Sequence, residues 1–201
     1  MVRDGFYFNI PVLALMGVGI WLGLWVWVAV LVLVGGFILF FFRNPDREIP
    51  ADPSVLVSPA DGKVVQIEEE GDDRLRVSIF LSVFDVHVNR APIGGRIVQQ
   101  DYHPGRFRLA FDERASVENE RLVLTIEDEQ RRRLTFALIT GLIARRIVPW
   151  KVAGESVAKG DRIGLIRFGS RVDVFLPRDC HLEVRRGDRV AGGSSVLARW
   201  S

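Results

Sequence analysis

From Gly5 to Phe42 the chain carries no charged residue, and from Pro11 onward it is Leu, Val, Ile, Phe, Gly and Trp almost without interruption. A helix in a globular core keeps a polar stripe, and this run has none, which is the pattern of a membrane-embedded segment. Taken as one helix from Ile10 to Phe42 it would extend about 50 Å, against a hydrocarbon layer of about 30 Å. Two arrangements fit that length: a steeply tilted single span, or a hairpin turning near Gly17, Gly19 or Gly23. Trp21, Trp25 and Trp27 stand in the middle of the run, whereas interfacial Trp belongs at the ends of a span, so a turn there places the rings near a headgroup layer. A cleaved signal peptide is disfavoured. The apolar run is too long, Arg3 is opposed by Asp4, and no small-residue cleavage site follows.

After Pro50 the period changes from helical to alternating. "RLRVSIFLS" places Leu75, Val77, Ile79 and Leu81 on one face, and "RLVLTIEDEQRRRLTFALIT" reads as two strands joined by a polar turn from Glu127 to Arg132. "GRIVQQDYH" and "RVDVFLP" continue the alternation, punctuated by Gly, Pro and Asp. One short helical candidate lies at Arg145 to Lys151, cut by Pro149. The expectation is a membrane anchor over residues 1–44, followed by a mostly β domain over 45–201. Two segments in that domain resemble each other, "GESVAKGDRIG" (Gly154 to Gly164) and "RRGDRVAGGSSVLA" (Arg185 to Ala198), with "SPADGKVVQI" a looser cousin. Their pattern resembles the flattened double-hammerhead barrel of lipoyl and biotinyl domains, a barrel-sandwich fold with little functional content of its own.

Charge adds less. The 27 basic and 25 acidic residues leave a net charge of +2. The cations are almost all arginine, with only Lys63, Lys151 and Lys159 as lysines, which suits a phosphate-bearing partner but equally reflects Arg-rich codon usage. Acidic residues are interleaved throughout, so nucleic acid is not an expected partner. Arg43 and Arg47 follow the apolar run against Asp46 and Glu48, and basic flanks favour the cytoplasmic side for the β domain. A lone Cys180 makes no intrachain disulfide.

Several chemistries are disfavoured by what is missing. His87, His103 and His181 have no partner at metal-ligand spacing, and one cysteine completes no Cys-x-x-Cys set, so no metal is expected. No phosphate-binding loop, dinucleotide fingerprint or Gly-x-Ser-x-Gly elbow occurs. There remain short polar motifs with ordinary structural readings: Asp61 in "SPADGKV" as a turn aspartate, His87 as a hydrogen-bonded strand residue, Asn89 and Arg90 as solvated edge residues, "DYHPG" as a turn, and Gly169-Ser170 in "RFGSRVDVF" as a bend between strands.

Taken together, "FFRNPDREIP", "FLSVFDVHVNRAPIGGRI", "DYHPGRF", "ENER" and "FGSRVDVFLP" closely resemble the short form of the phosphatidylserine decarboxylase family, from about Phe41 to Ala198. Archaetidylserine decarboxylases resemble the chain too, so the lipid backbone is less determined than the reaction. The resemblance implies an inactive proenzyme in which the Ser170 hydroxyl attacks the Gly169 carbonyl and converts the peptide bond to an ester. Elimination and hydrolysis then yield chains 1–169 (β) and 170–201 (α), held together as a heterodimer, with a pyruvoyl group in place of Ser170. That group would form a Schiff base with the serine headgroup of a membrane phospholipid and delocalise the charge left by CO2 loss, so no metal or diffusible cofactor is needed. The resemblance further implies His87 and Asp61 as a relay activating Ser170, His87 as the acid that protonates the product, and Arg90 as a phosphodiester ligand. In longer bacterial relatives a second histidine follows three residues after the first; here that position is Arg90. His87 then serves both steps, or His103 shares them.

Two other readings compete. A non-enzymatic lipoyl-like module, such as an adaptor or carrier, would need long heptad helices or a hairpin-tip lysine, for which Lys63 is the one candidate. A membrane-anchored peptidase with a similar barrel would need a His-x-His metal pair.

Overall fold

The computed structural model describes residues 2–71, 73–105, 119–141, 146–167 and 170–201, with backbone only at position 170. The chain forms two compact units, Met1–Asp46 and Arg47–Ser201.

In the first unit the apolar run folds as α1 (Arg3–Trp21) and α2 (Trp25–Phe41), about 28 and 25 Å long. The chain reverses at Gly23, whose φ of +69° is a left-handed conformation open to glycine at little cost. The open end of this hairpin is tied by the Val2 N–H, which donates to the Phe42 carbonyl at 3.1 Å. Small residues let the helices approach. A Cβ on Gly19 would meet a Val28 methyl at 3.0 Å, and one on Gly35 would meet Asn9 Oδ1 at 3.0 Å. Asn9 is buried and donates to the Gly5 carbonyl. The outer surface is apolar, with Trp21, Trp25 and Trp27 all exposed around the turn. By length and composition α1 is able to cross a membrane; α2 is a shorter apolar helix.

The second unit is built from β1 (Val55–Val57), β2 (Gly62–Glu70), β3 (Arg74–Leu81), β4 (Val88–Arg90), β5 (Gly95–His103), β6 (Arg121–Glu127), β7 (Arg133–Thr140), β8 (Arg146–Pro149), β9 (Ser156–Val157), β10 (Arg162–Arg167), β11 (Ser170–Pro177), β12 (His181–Leu182), β13 (Arg189–Val190) and β14 (Val196–Arg199). Eight of them form one sheet in the order β13-β2-β3-β11-β7-β6-β5-β9, and two three-stranded sheets, β1-β14-β12 and β4-β10-β8, complete the unit. The large sheet curls into a half-barrel, with bulges at Val64/Gln66 and Ile97/Gln99 helping to bend it.

The alternation read from the sequence lands where it should. Val77, Ile79 and Leu81 of β3 enter one core with Leu124, Ile126, Leu134, Phe136, Leu138, Val172 and Val174. The β6–β7 turn is pinned by Asp128, whose carboxylate accepts from the Gln130 and Arg132 amides and from Arg132 Nε. On the opposite face of β11, Arg171 and Asp173 are almost fully buried and paired at 2.6 Å, with Arg171 also donating to Ser78 Oγ and Gln66 Oε1. Every bond of that set crosses to β2 or β3 or stays on β11, so a one-residue slip of β11 would strand a buried charge.

The helical candidate at Arg145 to Lys151 is corrected: Arg146–Pro149 is the edge strand β8, paired with β10. The β-branched pair Ile147-Val148 favours the extended chain, and proline is tolerated at the end of an edge strand. The two Gly-Asp-Arg segments do fold alike locally. In each the Asp carboxylate accepts from the backbone N–H three residues earlier, Asp161 from Ala158 and Asp188 from Arg185, with Gly160 and Gly187 at positive φ.

Candidate functional site

β11 lies in the middle of the large sheet, and its first residue, Ser170, has Cα partners Leu81 at the end of β3 and Thr140 at the end of β7. Gly169 lies outside the described residues. The groups close to this strand start are polar and buried. Thr140 donates through its amide and its Oγ1 to the Glu120 carbonyl, and its own carbonyl accepts from Asn119 Nδ2 at 2.7 Å. Glu120 Oε1 accepts from the Ile147 amide, and its carboxylate also meets the Tyr102 hydroxyl, whose pKa is pushed up by loss of solvent first and by the Glu120 charge second.

His87 sits on the loop between β3 and β4 and is fully buried. Its Nδ1 lies 2.9 Å from the Asp85 carbonyl oxygen. A carbonyl only accepts, so the bond requires the proton on Nδ1, and in the neutral ring Nε2 keeps its lone pair. The loop is itself fixed: Asp85 Oδ2 accepts from the Ser82 amide and hydroxyl, and Asp85 Oδ1 accepts from Arg189. The His87 carbonyl accepts from the Ile166 amide at 3.2 Å, which ties the loop to the chain four residues before Ser170, a reach of at most about 14 Å.

Asn89 corrects the solvated-edge reading. It is fully buried, its Nδ2 donates to the His87 carbonyl at 3.1 Å, and its Oδ1 has no hydrogen-bond partner. A buried amide oxygen without a protein donor is uncommon, and a water or a ligand donor would satisfy it. Arg90 is partly buried. Its Nη1 donates to the Gly160 carbonyl and its amide to the Pro59 carbonyl, so β4 is joined to the loop that carries Asp61.

Asp61 is held by another partner. Arg47 Nη2 reaches both carboxylate oxygens, at 2.9 and 2.7 Å, and the Gly192 amide donates to Oδ1 at 2.7 Å. The hydrogen bonds of Asp61 therefore run to Arg47 and Gly192, while His87 is oriented by the Asp85 carbonyl. His103 is set apart. It ends β5 opposite Arg121, and along the sheet three strand spacings, roughly 14 Å, separate β5 from β11.

Arg47, Asp85, Asn89, Asn119 and Glu120 lie in stretches the sequence reading quoted, but it gave none of them a role at the site. Only Asp85 carried a local signal, the Ser82-x-x-Asp85 spacing of a side-chain-closed turn. Among the described residues no three His, Cys, Asp or Glu side chains converge as a metal site.

Arg47 and Asp61 are both mostly shielded from solvent, so their pairing has a measurable coupling. Arg47→Met is expected to destabilise the domain by about 2 kcal/mol, because Asp61 then keeps one donor for a partly buried charge. Asp61→Asn in the same chain should recover part of that loss. A double-mutant cycle on thermal or denaturant unfolding that returns zero coupling would count against the pairing.

A family model described as phosphatidylserine decarboxylase matches residues 34–198. A phosphatidylserine decarboxylase proenzyme of Solibacter usitatus is 48% identical over 199 residues, covering 99% of this chain and 96% of the relative. The proenzyme of the same name from Desulfotalea psychrophila is 44% identical over 174 residues (83% and 81% of the two chains), and that of Citrifermentans bemidjiense is 42% identical over 199 residues (96% and 90%). The matched span takes in the whole β domain up to β14, with every strand and loop that frames Ser170 and His87, and the chain belongs to the phosphatidylserine decarboxylase family, a family of carboxy-lyases.

Proposed function

We propose that this chain is a self-processing decarboxylase that converts membrane phosphatidylserine to phosphatidylethanolamine and CO2, using a pyruvoyl group made from its own Ser170. The observation that carries the reading is the position of Ser170, at the head of a central strand and bordered by buried polar groups. A bend between strands needs no such surroundings. The orphaned Asn89 Oδ1 fits a site that is to receive donors, and the Nδ1 bond to the Asp85 carbonyl fixes the tautomer of the nearby imidazole.

In the uncut chain, His87 takes the proton from the Ser170 hydroxyl as that oxygen attacks the Gly169 carbonyl. Arg47 and the Gly192 amide keep the Asp61 carboxylate ordered beside the backbone that joins β4 to the Ser58–Gly62 loop. The pyruvoyl group, once present, supplies a carbonyl to capture the substrate amine and an electron sink for the charge left by CO2 loss. His87 then returns a proton to the product, and Arg90 holds the substrate phosphodiester. The two products of the break stay associated because residues 170–201 contribute β11, β12, β13 and β14, each paired to strands of the 1–169 portion or to one another.

The helical hairpin holds the enzyme at the bilayer that contains its substrate, raising the effective substrate concentration without further contacts. Trp21, Trp25 and Trp27 lie at one headgroup layer. Both ends of the hairpin, joined by the Val2–Phe42 bond, lie at the other, and the basic Arg43 and Arg47 favour the cytoplasm.

The test is turnover of phosphatidylserine, with archaetidylserine in parallel, by purified full-length chain, alongside a denaturing gel. Two chains and CO2 release from phosphatidylserine are expected. Active material consisting of one uncut chain would refute the pyruvoyl reading.

A further inference from the structure

The turn that leads into His87 carries an aromatic ring outward. Ser82 and Asp85 close it, through the Asp85 amide to the Ser82 carbonyl at 3.0 Å and through the two bonds to Asp85 Oδ2, which leaves Val83 and Phe84 at the tip. Phe84 is 66% exposed, the highest value for a large hydrophobic residue among the described residues of the β unit. One exposed phenylalanine alone would need no explanation. This one is joined to a basic edge. Arg189, itself 72% exposed, donates to Asp85 Oδ1 at 2.9 Å, and Lys63 is its Cα partner across β2 and β13. Arg185 and Arg186 are also exposed just before β13, with the acids Glu183 and Asp188 beside them and Glu183 paired to Arg199.

We infer that the Phe84 turn and this basic edge form the surface by which the β unit meets an anionic phospholipid bilayer, with the ring entering the interfacial layer. The inference rests on the decarboxylase reading above and deepens it. A lipid headgroup has to come to buried groups around His87 without its tails leaving the bilayer, so the loop bearing His87 lies against the membrane. An aromatic side chain beside arginines is the combination that suits this layer, the ring at the level of the headgroups and the cations against lipid phosphates. The rigid Ser82–Asp85 closure then transmits contact at the tip to the segment whose carbonyl orients His87.

The experiment uses the full chain with Cys180→Ala and Phe84→Cys, labelled with an environment-sensitive nitrobenzoxadiazole dye, in nanodiscs of phosphatidylcholine with or without phosphatidylglycerol. Unchanged thermal unfolding before labelling establishes that the variant is folded. Position 84 should shift to the blue and brighten several-fold when phosphatidylglycerol is present. Val98→Cys, on exposed β5 and four strand spacings from β3, should stay water-like. A water-like dye at position 84 in both nanodiscs overturns the inference, and an equal shift in phosphatidylcholine alone overturns the anionic assignment. Phosphatidylserine turnover is measured on the unlabelled chain in separate nanodiscs to which phosphatidylserine has been added. Turnover with an unshifted dye sinks this inference alone, whereas no turnover by the unsubstituted chain sinks the decarboxylase reading.

Discussion

Ser170→Ala is expected to yield a single uncut chain of 201 residues that folds normally and decarboxylates at background rate. The substitution removes one oxygen from the first residue of β11, and the pairing of that strand to Leu81 and Thr140 runs through backbone, so the sheet has no reason to change. The chemistry, in contrast, loses both its nucleophile and its cofactor. In the proposed processing the Ser170 oxygen takes the Gly169 acyl group from nitrogen. The ester then loses the Gly169 carboxylate across Cα–Cβ, and water displaces the nitrogen as ammonia, leaving a ketone. No other residue supplies that oxygen at that position. The loss should therefore be at least about 10⁴-fold, the scale seen when the group that carries a reaction is removed. Mass spectrometry of the native protein is expected to give the complementary result: a 170–201 fragment lighter by one ammonia than simple hydrolysis would leave. A Ser170→Ala chain that is cut, or that turns over substrate uncut, would overturn the assignment.

What the sequence disclosed and what it hid divide along one physical line. Alternation in "RLRVSIFLS" and "GRIVQQDYH" is a local property, because period-two burial needs only a face and a core, and β3 and β5 appear at those residues. The polar turn between β6 and β7 was legible for the same reason, as was the all-round apolar surface of the helices. β8 was misread because four residues ending in proline hold no period, and only β10, from another part of the chain, makes them a strand.

The site was less legible because its geometry is non-local. Ser170 meets Leu81 and Thr140 through pairings that span the whole β unit, and no pattern near "RFGSRVDVF" announces that β11 will be central. Asp61 was singled out as a relay residue, and the partners that hold its carboxylate, Arg47 and the Gly192 amide, come from distant parts of the sequence. Asn89 was placed at a solvated edge because polar residues between strands usually lie there; it is buried because β4 and β10 pair in the interior. Gly169-Ser170 was identified through its resemblance, since the pair alone carries no more than a turn signal.

His87→Asn should separate the structural from the chemical role of the imidazole. The asparagine Nδ2 occupies nearly the place of the imidazole Nδ1 and keeps a donor for the Asp85 carbonyl, so the loop loses little. What disappears is the Nε2 lone pair. If that lone pair removes the Ser170 proton, cleavage of the Asn variant should slow by about 10²–10⁴-fold, the usual worth of a positioned general base. The measurement is the fraction of chain cut against time, on gels, for proenzyme made by cell-free synthesis. His87→Ala is the less informative change, because it leaves the Asp85 carbonyl without its donor and mixes loop disorder with lost chemistry. Native-rate cleavage and full turnover by His87→Asn would remove His87 from both steps. The hydroxyl would then need another base, and His103 would be the next residue to substitute.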